Sequence, residues 1–146
     1  YKKFLVKDEN YIPVFHNLSF LLKAEYGTYF ETDPVVTDPF YIGGIDSFLG
    51  LSTNELSTSF YRIFRTGLRL HYNKKYFTDA VFNYLTWGNT DIWPTMGNTL
   101  AGGGLIFGYK SVLGPIRFSI ALDSKKHFNS YISIGYDYDA FQFSRR

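Results

Sequence analysis

At 146 residues and 16.9 kDa the chain makes one domain, with 21% aromatic and only 19% charged residues. A net charge of +2, spread along the sequence, excludes a nucleic-acid-binding face, an acidic tail and a disordered chain; absent cysteine excludes a disulfide framework and a thiolate metal site. Mean hydropathy of −0.14 without an apolar run of about 18 residues excludes a transmembrane helix but not a transmembrane barrel, whose strands alternate.

The dominant signal in chain order is period two, over runs longer than the roughly 5–6 residues of strands in soluble sheets. The chain opens at Tyr1 without a start Met or signal peptide, so it reads as processed or as a piece of a longer polypeptide, and a strand end is predicted at Lys2–Val6. From Leu18, the face Leu18, Phe20, Leu22, Ala24 and Tyr26 opposes Ser19, Leu21, Lys23, Glu25 and Gly27. A long connection, Glu31–Ser57, follows. In the next run Phe64, Thr66, Leu68, Leu70 and Tyr72 oppose Arg65, Gly67, Arg69 and His71, ending in the turn Asn73-Lys74-Lys75. Around Ala80, Phe82 and Tyr84 the opposite face is Asp79, Val81 and Asn83, and a loop Gly88–Gly97 intervenes. Gly103, Leu105, Phe107 and Tyr109 then oppose Gly104, Ile106, Gly108 and Lys110, and the turn Ser111–Gly114 leads to Ile116, Phe118, Ile120 and Leu122 against Arg117, Ser119, Ala121 and Asp123. A last run, Ile132 to Ala140, sets Tyr136 and Tyr138 against Gly135, Asp137 and Asp139.

Six long amphipathic strands and the short first one leave two all-β readings. A soluble sandwich buries its apolar face and uses short strands. These runs approach the roughly 9–11 residues that cross a bilayer with tilt, and their apolar faces carry Tyr or Phe near the ends, where an aromatic girdle sits. An antiparallel transmembrane β-barrel is therefore expected. Lys23, Glu25, Arg65, Arg69, His71, Asp79, Lys110, Arg117 and Asp137 then face the lumen, chiefly pairing across strands to keep charge off the lipid. Phe107→Arg or Phe118→Arg should impair assembly, and Gly67→Arg on the lumen face should be tolerated better. Tight turns alternating with long loops put the turns and the carboxyl end in the periplasm, with 31–57, 88–97 and Ser124–His127 outside.

Other features have plainer readings. His16, His71 and His127 lie on separate segments without ligand spacing, so neither metal nor cofactor is expected. Gly102-Gly103-Gly104 lacks the Lys-Ser/Thr of a phosphate loop; in a strand these glycines admit a bend or the close approach of a plug. Trp87 and Trp93 suit an outer aromatic belt.

Phe40-Tyr41-Ile42-Gly43-Gly44-Ile45-Asp46-Ser47-Phe48-Leu49-Gly50-Leu51, followed by Glu55-Leu56, resembles the sixth extracellular loop of the Omp85 superfamily of barrels, with Gly43, Gly44, Phe48, Leu49, Gly50 and Leu51 at its motif positions. Five strands follow it, the number expected before the carboxyl end of a sixteen-stranded barrel. Gly102–Lys110 and Leu113–Arg117 resemble the penultimate hairpin of that family. Ile132–Phe141 is similar to a carboxyl-terminal β-signal, at Gly135, Tyr136, Tyr138 and Phe141. The resemblance implies that residues 1–146 are a single segment, about the last seven strands of such a barrel. The remaining strands come from upstream sequence or another chain, since an open sheet in lipid leaves edge groups unpaired. It also implies outer-membrane lipid and the barrel-assembly machinery as partners.

Leu49 stands where the family carries the arginine that pins the loop to the barrel wall. That departure disfavours a protein insertase. The variant looks closer to barrels behind patatin-like phospholipase domains in Bacteroidetes-type bacteria, which implies an upstream lipid acyl hydrolase; no Gly-x-Ser-x-Gly occurs in this chain. The expected role is an anchor or translocation pore for that domain. The alternatives are an Omp85 assembly or translocation factor and a small self-contained structural or adhesive barrel.

Overall fold

Alternation puts apolar side chains on one side of every strand, and tight turns make sequence neighbours into sheet neighbours. The computed structural model describes residues 3–29, 39–52, 54–88, 98–135 and 139–145. They form an all-β, antiparallel architecture. Its strands are β1 (Lys3–Phe15), β2 (Leu18–Tyr29), β3 (Phe40–Ile42), β4 (Leu56–Thr58), β5 (Phe60–Tyr72), β6 (Tyr76–Gly88), β7 (Asn98–Ser111), β8 (Gly114–Asp123), β9 (Phe128–Ile134) and β10 (Asp139–Arg145). One sheet runs β1-β2-β5-β6-β7-β8-β9-β10, and β3 and β4 pair separately. Among the described residues no ladder joins β1 to β10, so the sheet is not closed into a barrel.

The turns explain the order. Asn73 and Lys74 adopt left-handed φ values of 49° and 60°, which closes the β5–β6 hairpin. Ser111 Oγ accepts from Leu113 N (3.2 Å) and donates to Gly114 O (2.6 Å), holding the β7–β8 turn. Asp123 Oδ1 accepts from the backbone N–H groups of Lys125 and His127, both at 2.9 Å, holding the β8–β9 turn.

The structure corrects the sequence reading in four places. The predicted strand end at the start is a full strand, β1, paired along β2 from Lys3↔Tyr29 to Phe15↔Leu18. Its alternation is masked because Lys7, Asp8, Glu9 and Asn10 occupy both faces. The predicted last strand, Ile132 to Ala140, is two: β9 ends at Ile134, Gly135 bends at φ 77°, and β10 pairs back from Asp139↔Ser133. Consequently β10 runs toward the long connections, not toward the tight turns where the carboxyl end was expected. Gly67 is no open lumen position, since a Cβ there would meet Ala80 O at 2.4 Å. Finally, much of the predicted 31–57 extracellular loop folds back onto the sheet.

Residues opposite one another in a ladder share a face, so the registers separate the two sides. One face carries Glu25, Ile63, Leu85 and Leu100 in one row and Lys23, Arg65, Asn83, Gly102 and Asp123 in the next. The segment spanning β3 and β4 covers this side, and both buried clusters lie there. The first joins Phe40, Ile42, Phe48 and Leu51 to Tyr61, Ile63, Leu85 and Leu100; the second joins Ile45 and Leu49 to Phe77, Val81, Ile106, Ala121 and Tyr131. The other face, which includes Phe64, Leu68, Phe82, Leu105, Phe107, Phe118 and Leu122, is bare, with Phe82 50% exposed. Rings gather at both ends of that face: Tyr76 and Tyr109 at the tight-turn end, centroids 5.0 Å apart, and Tyr26 and Phe60 at the other, 5.6 Å apart.

Candidate functional site

The polar face and the strap over it, residues 40–58, form the densest convergence of polar side chains. The strap starts as the β3–β4 pair and leaves it at Gly43, whose φ of 133° admits no ordinary side chain. Gly44 N donates to Leu51 O (3.0 Å), and Glu55 Oε2 accepts from Ser52 N (2.6 Å), closing the tip and its return.

Wall side chains grip the strap through its backbone. Arg65 Nη1 donates to Ile45 O at 2.6 Å, and Asn83 Nδ2 donates to Leu49 O at 3.0 Å. Lys23 Nζ donates to Asp46 O, Asn129 Nδ2 to Gly50 O and Tyr131 Oη to Leu51 O. These donors come from β2, β5, β6 and β9, so the strap ties together strands distant in sequence. Because they engage carbonyl groups, the grip depends on the strap's path more than on its side chains.

One contact is charge-specific. Asp46 accepts from Arg117 Nη1 (2.5 Å) and Nη2 (3.0 Å), a bidentate pair, while Arg117 Nε donates to Ser133 Oγ at 3.1 Å. Burial alone would raise the Asp46 carboxyl, but the Arg117 hydrogen bonds and charge outweigh it and hold the group below the usual carboxylate range. Leu49 is fully buried. The pair therefore joins strap to wall with the carboxylate on the strap and the guanidinium on β8.

Glycine makes room for this. A Cβ on Gly102 would lie 2.9 Å from Leu49 O and 3.1 Å from the Phe48 ring, so the strap seats directly over the glycine run of β7.

The structure places most of the predicted residues. Gly44, Phe48, Leu49, Gly50 and Leu51 are buried in the strap, and Gly43 is half-buried at its start. Lys23, Glu25, Arg65 and Asp79 are buried on the covered face; Arg69, His71 and Arg117 are half-buried there, and Lys110 is exposed. Arg69 forms a two-point pair with Asp79, both contacts 2.7 Å, and lies 4.2 Å from the Phe77 ring centroid. Glu25 meets Lys7 Nζ at 2.9 Å and accepts from Tyr61 Oη at 2.5 Å. A cavity of about 410 Å³ remains at the tight-turn end, lined by Asp46, Arg69, Phe77, Lys110 and Arg117 among others. Gly135 is at the bend and Phe141 is in β10, paired with Ile132; Tyr136, Asp137 and Tyr138 lie outside the described residues. Trp87 packs against the first cluster on the covered face, so it is not part of an outer belt; Trp93 lies outside the described residues.

Sequence reasoning missed Asn83, Asn129 and Tyr131 as strap holders. Each sits at a covered-face register position, the only signal they carry. Among the described residues no group of three His, Asp or Glu gathers as a metal site. No family model matches the chain, and neither does any curated protein or solved structure.

Proposed function

We propose that the chain is a membrane-embedded section of an outer-membrane, Omp85-like β-barrel that anchors, and forms a strap-closed path for, an attached domain. The observation that supports this reading best is the inversion of burial. Charged and amide side chains such as Lys23, Glu25, Arg65, Asp79 and Asn83 are buried, while a continuous side of Phe, Leu, Ile and Tyr is open. In water such a face is a large unsatisfied apolar patch; in a bilayer it is at home. Tyr76 and Tyr84 lie eight residues apart on β6, roughly 26 Å along the strand. That matches an apolar band about 25 Å tall between aromatic girdles.

Among the described residues the outer edges of β1 and β10 pair with no strand, and in lipid they require further strands, from the same polypeptide or another chain. Lipid and the assembly machinery are then the chain's partners, and the tight turns face the periplasm. The strap resemblance supports a patatin-like phospholipase as the attached domain.

The test is the native, full-length polypeptide in membrane fractions. It should resist alkaline carbonate extraction and migrate faster on gels before boiling than after. Release into the carbonate supernatant with no heat-dependent shift would overturn the reading.

A further inference from the structure

We infer that the bare face carries a binding site for the phosphate of a membrane phospholipid, centred on Arg62 and continued by an apolar groove for its acyl chain. The inference rests on the membrane reading above. From β2 to β9, Arg62 is the one charged residue at a bare-face register position among the described residues. Every other Lys, Arg, Asp or Glu of those strands falls on the covered face. On β1, Asp8 shares that face and the same groove but forms no ion pair with Arg62, so among the described residues no carboxylate is bonded to the guanidinium.

Its surroundings prepare it for an anion. The guanidinium carbon lies 5.7 Å from the Tyr26 ring centroid and 5.5 Å from that of Phe60. The rings attract the cation without neutralising it, and its planar fork of N–H donors suits a two-point bond to a phosphate. Arg62 sits two residues from the start of β5, at the long-connection end, where a cation on a lipid-facing strand costs only about 0–1 kcal/mol.

Beside it lies a groove of about 390 Å³ with Val6, Ala24, Tyr26, Phe64 and Tyr84 among its lining residues. These side chains offer an acyl chain apolar walls directly below the charge. Asp8, in the register row of Ala24 and Phe64, also lines the groove; it accepts from Asn10 Nδ2 at 2.9 Å and is not ion-paired with Arg62. A soluble phosphate fits only one end.

The experiment uses the full-length protein in non-ionic detergent, with native mass spectrometry after adding short-chain phosphatidylethanolamine, the matching diacylglycerol, or inorganic phosphate. Wild type should retain the phospholipid. Arg62→Gln should reduce that retention by about tenfold, the loss expected for one charge-assisted hydrogen bond. Arg62→Lys, which keeps the charge, should hold an intermediate amount and confirms that position 62 tolerates substitution. Equal retention by wild type and Arg62→Gln, equal retention of diacylglycerol, or displacement of the lipid by equimolar phosphate each overturns the inference. Vesicle insertion is measured alongside. If wild type does not insert, the membrane reading itself fails; if wild type and Arg62→Gln both insert but retention ignores Arg62, only the lipid site fails.

Discussion

The two faces of the sheet are built from the same strands, residue by residue in alternation, yet they solve opposite problems. The covered face buries Lys23, Glu25, Arg65 and Asp79 and gives each an ion pair or a strap carbonyl, with Glu25 Oε2 and Arg65 Nε left without a hydrogen bond. The bare face holds Phe64, Leu68, Phe82, Phe107 and Phe118, with none of the described residues covering them. Polarity thus tracks what each face meets, not how deeply it is buried. Burial of charge succeeds on one side only because each group finds a partner.

The sharpest way to break that contrast is to move charge across the sheet. Phe118→Arg, or Phe107→Arg, places a cation mid-strand on the bare face and should cost about 2–4 kcal/mol of stability in lipid vesicles. Folding yields in vesicles equal to wild type would remove the lipid assignment of that face. On the covered side, Gly67→Ala should cost about 1–3 kcal/mol, because its Cβ would run into Ala80 O at 2.4 Å and force the β5–β6 backbones apart. Denaturant titration of the reconstituted protein measures it, and a neutral result would show that the ladder yields there.

Finer changes probe the strap. Tyr131→Phe removes the hydroxyl donor to Leu51 O, which keeps Gly44 N as its other partner, so strap closure should weaken by about 0.5–1.5 kcal/mol. Faster amide exchange over 43–51, with β5 and β6 unchanged, is the expected signature. Arg117→Met should loosen the strap by no more than about 1 kcal/mol, because the Asp46 carboxylate is 65% exposed and solvent screens the pair. Single-channel recordings of the inserted protein should show a modest rise in open events.

The pH dependence is the smallest effect and has a definite sign. The Asp46 carboxyl is held below its ordinary value when docked, so the pair's contribution is fully present above the ordinary carboxylate range. It is lost as pH falls through the lowered docked value. Exchange over 43–51 should therefore be constant from neutral to mildly acidic pH and rise only in strong acid. A rise near pH 6–7 would point to a histidine instead.

Much of this was legible in one dimension. Alternation placed Lys23, Glu25, Arg65, Arg69 and Asp79 on one side and Phe107 and Phe118 on the other, since a period of two needs no knowledge of neighbours. The glycine run at 102–104 announced a close approach, and Gly102 indeed lies beneath the strap. β1 escaped because its polar residues fall on both faces, and the β9–β10 break escaped because Gly135 reads equally well inside a strand or at a bend. Asn83, Asn129 and Tyr131 looked like ordinary strand residues; their task exists only once the strap lies over them.

By itself, then, the sequence determined β2 and β5 to β8, the tight turns between them and the two faces, all of which rest on local periodicity and turn chemistry. Only the tertiary structure decided that the strap lies over the polar face, that Asp46 and Arg117, 71 residues apart, pair across strap and wall, and that Arg62 falls on the bare face with no bonded carboxylate among the described residues. Those outcomes depend on ladder register and on contacts between distant segments, which no local pattern encodes.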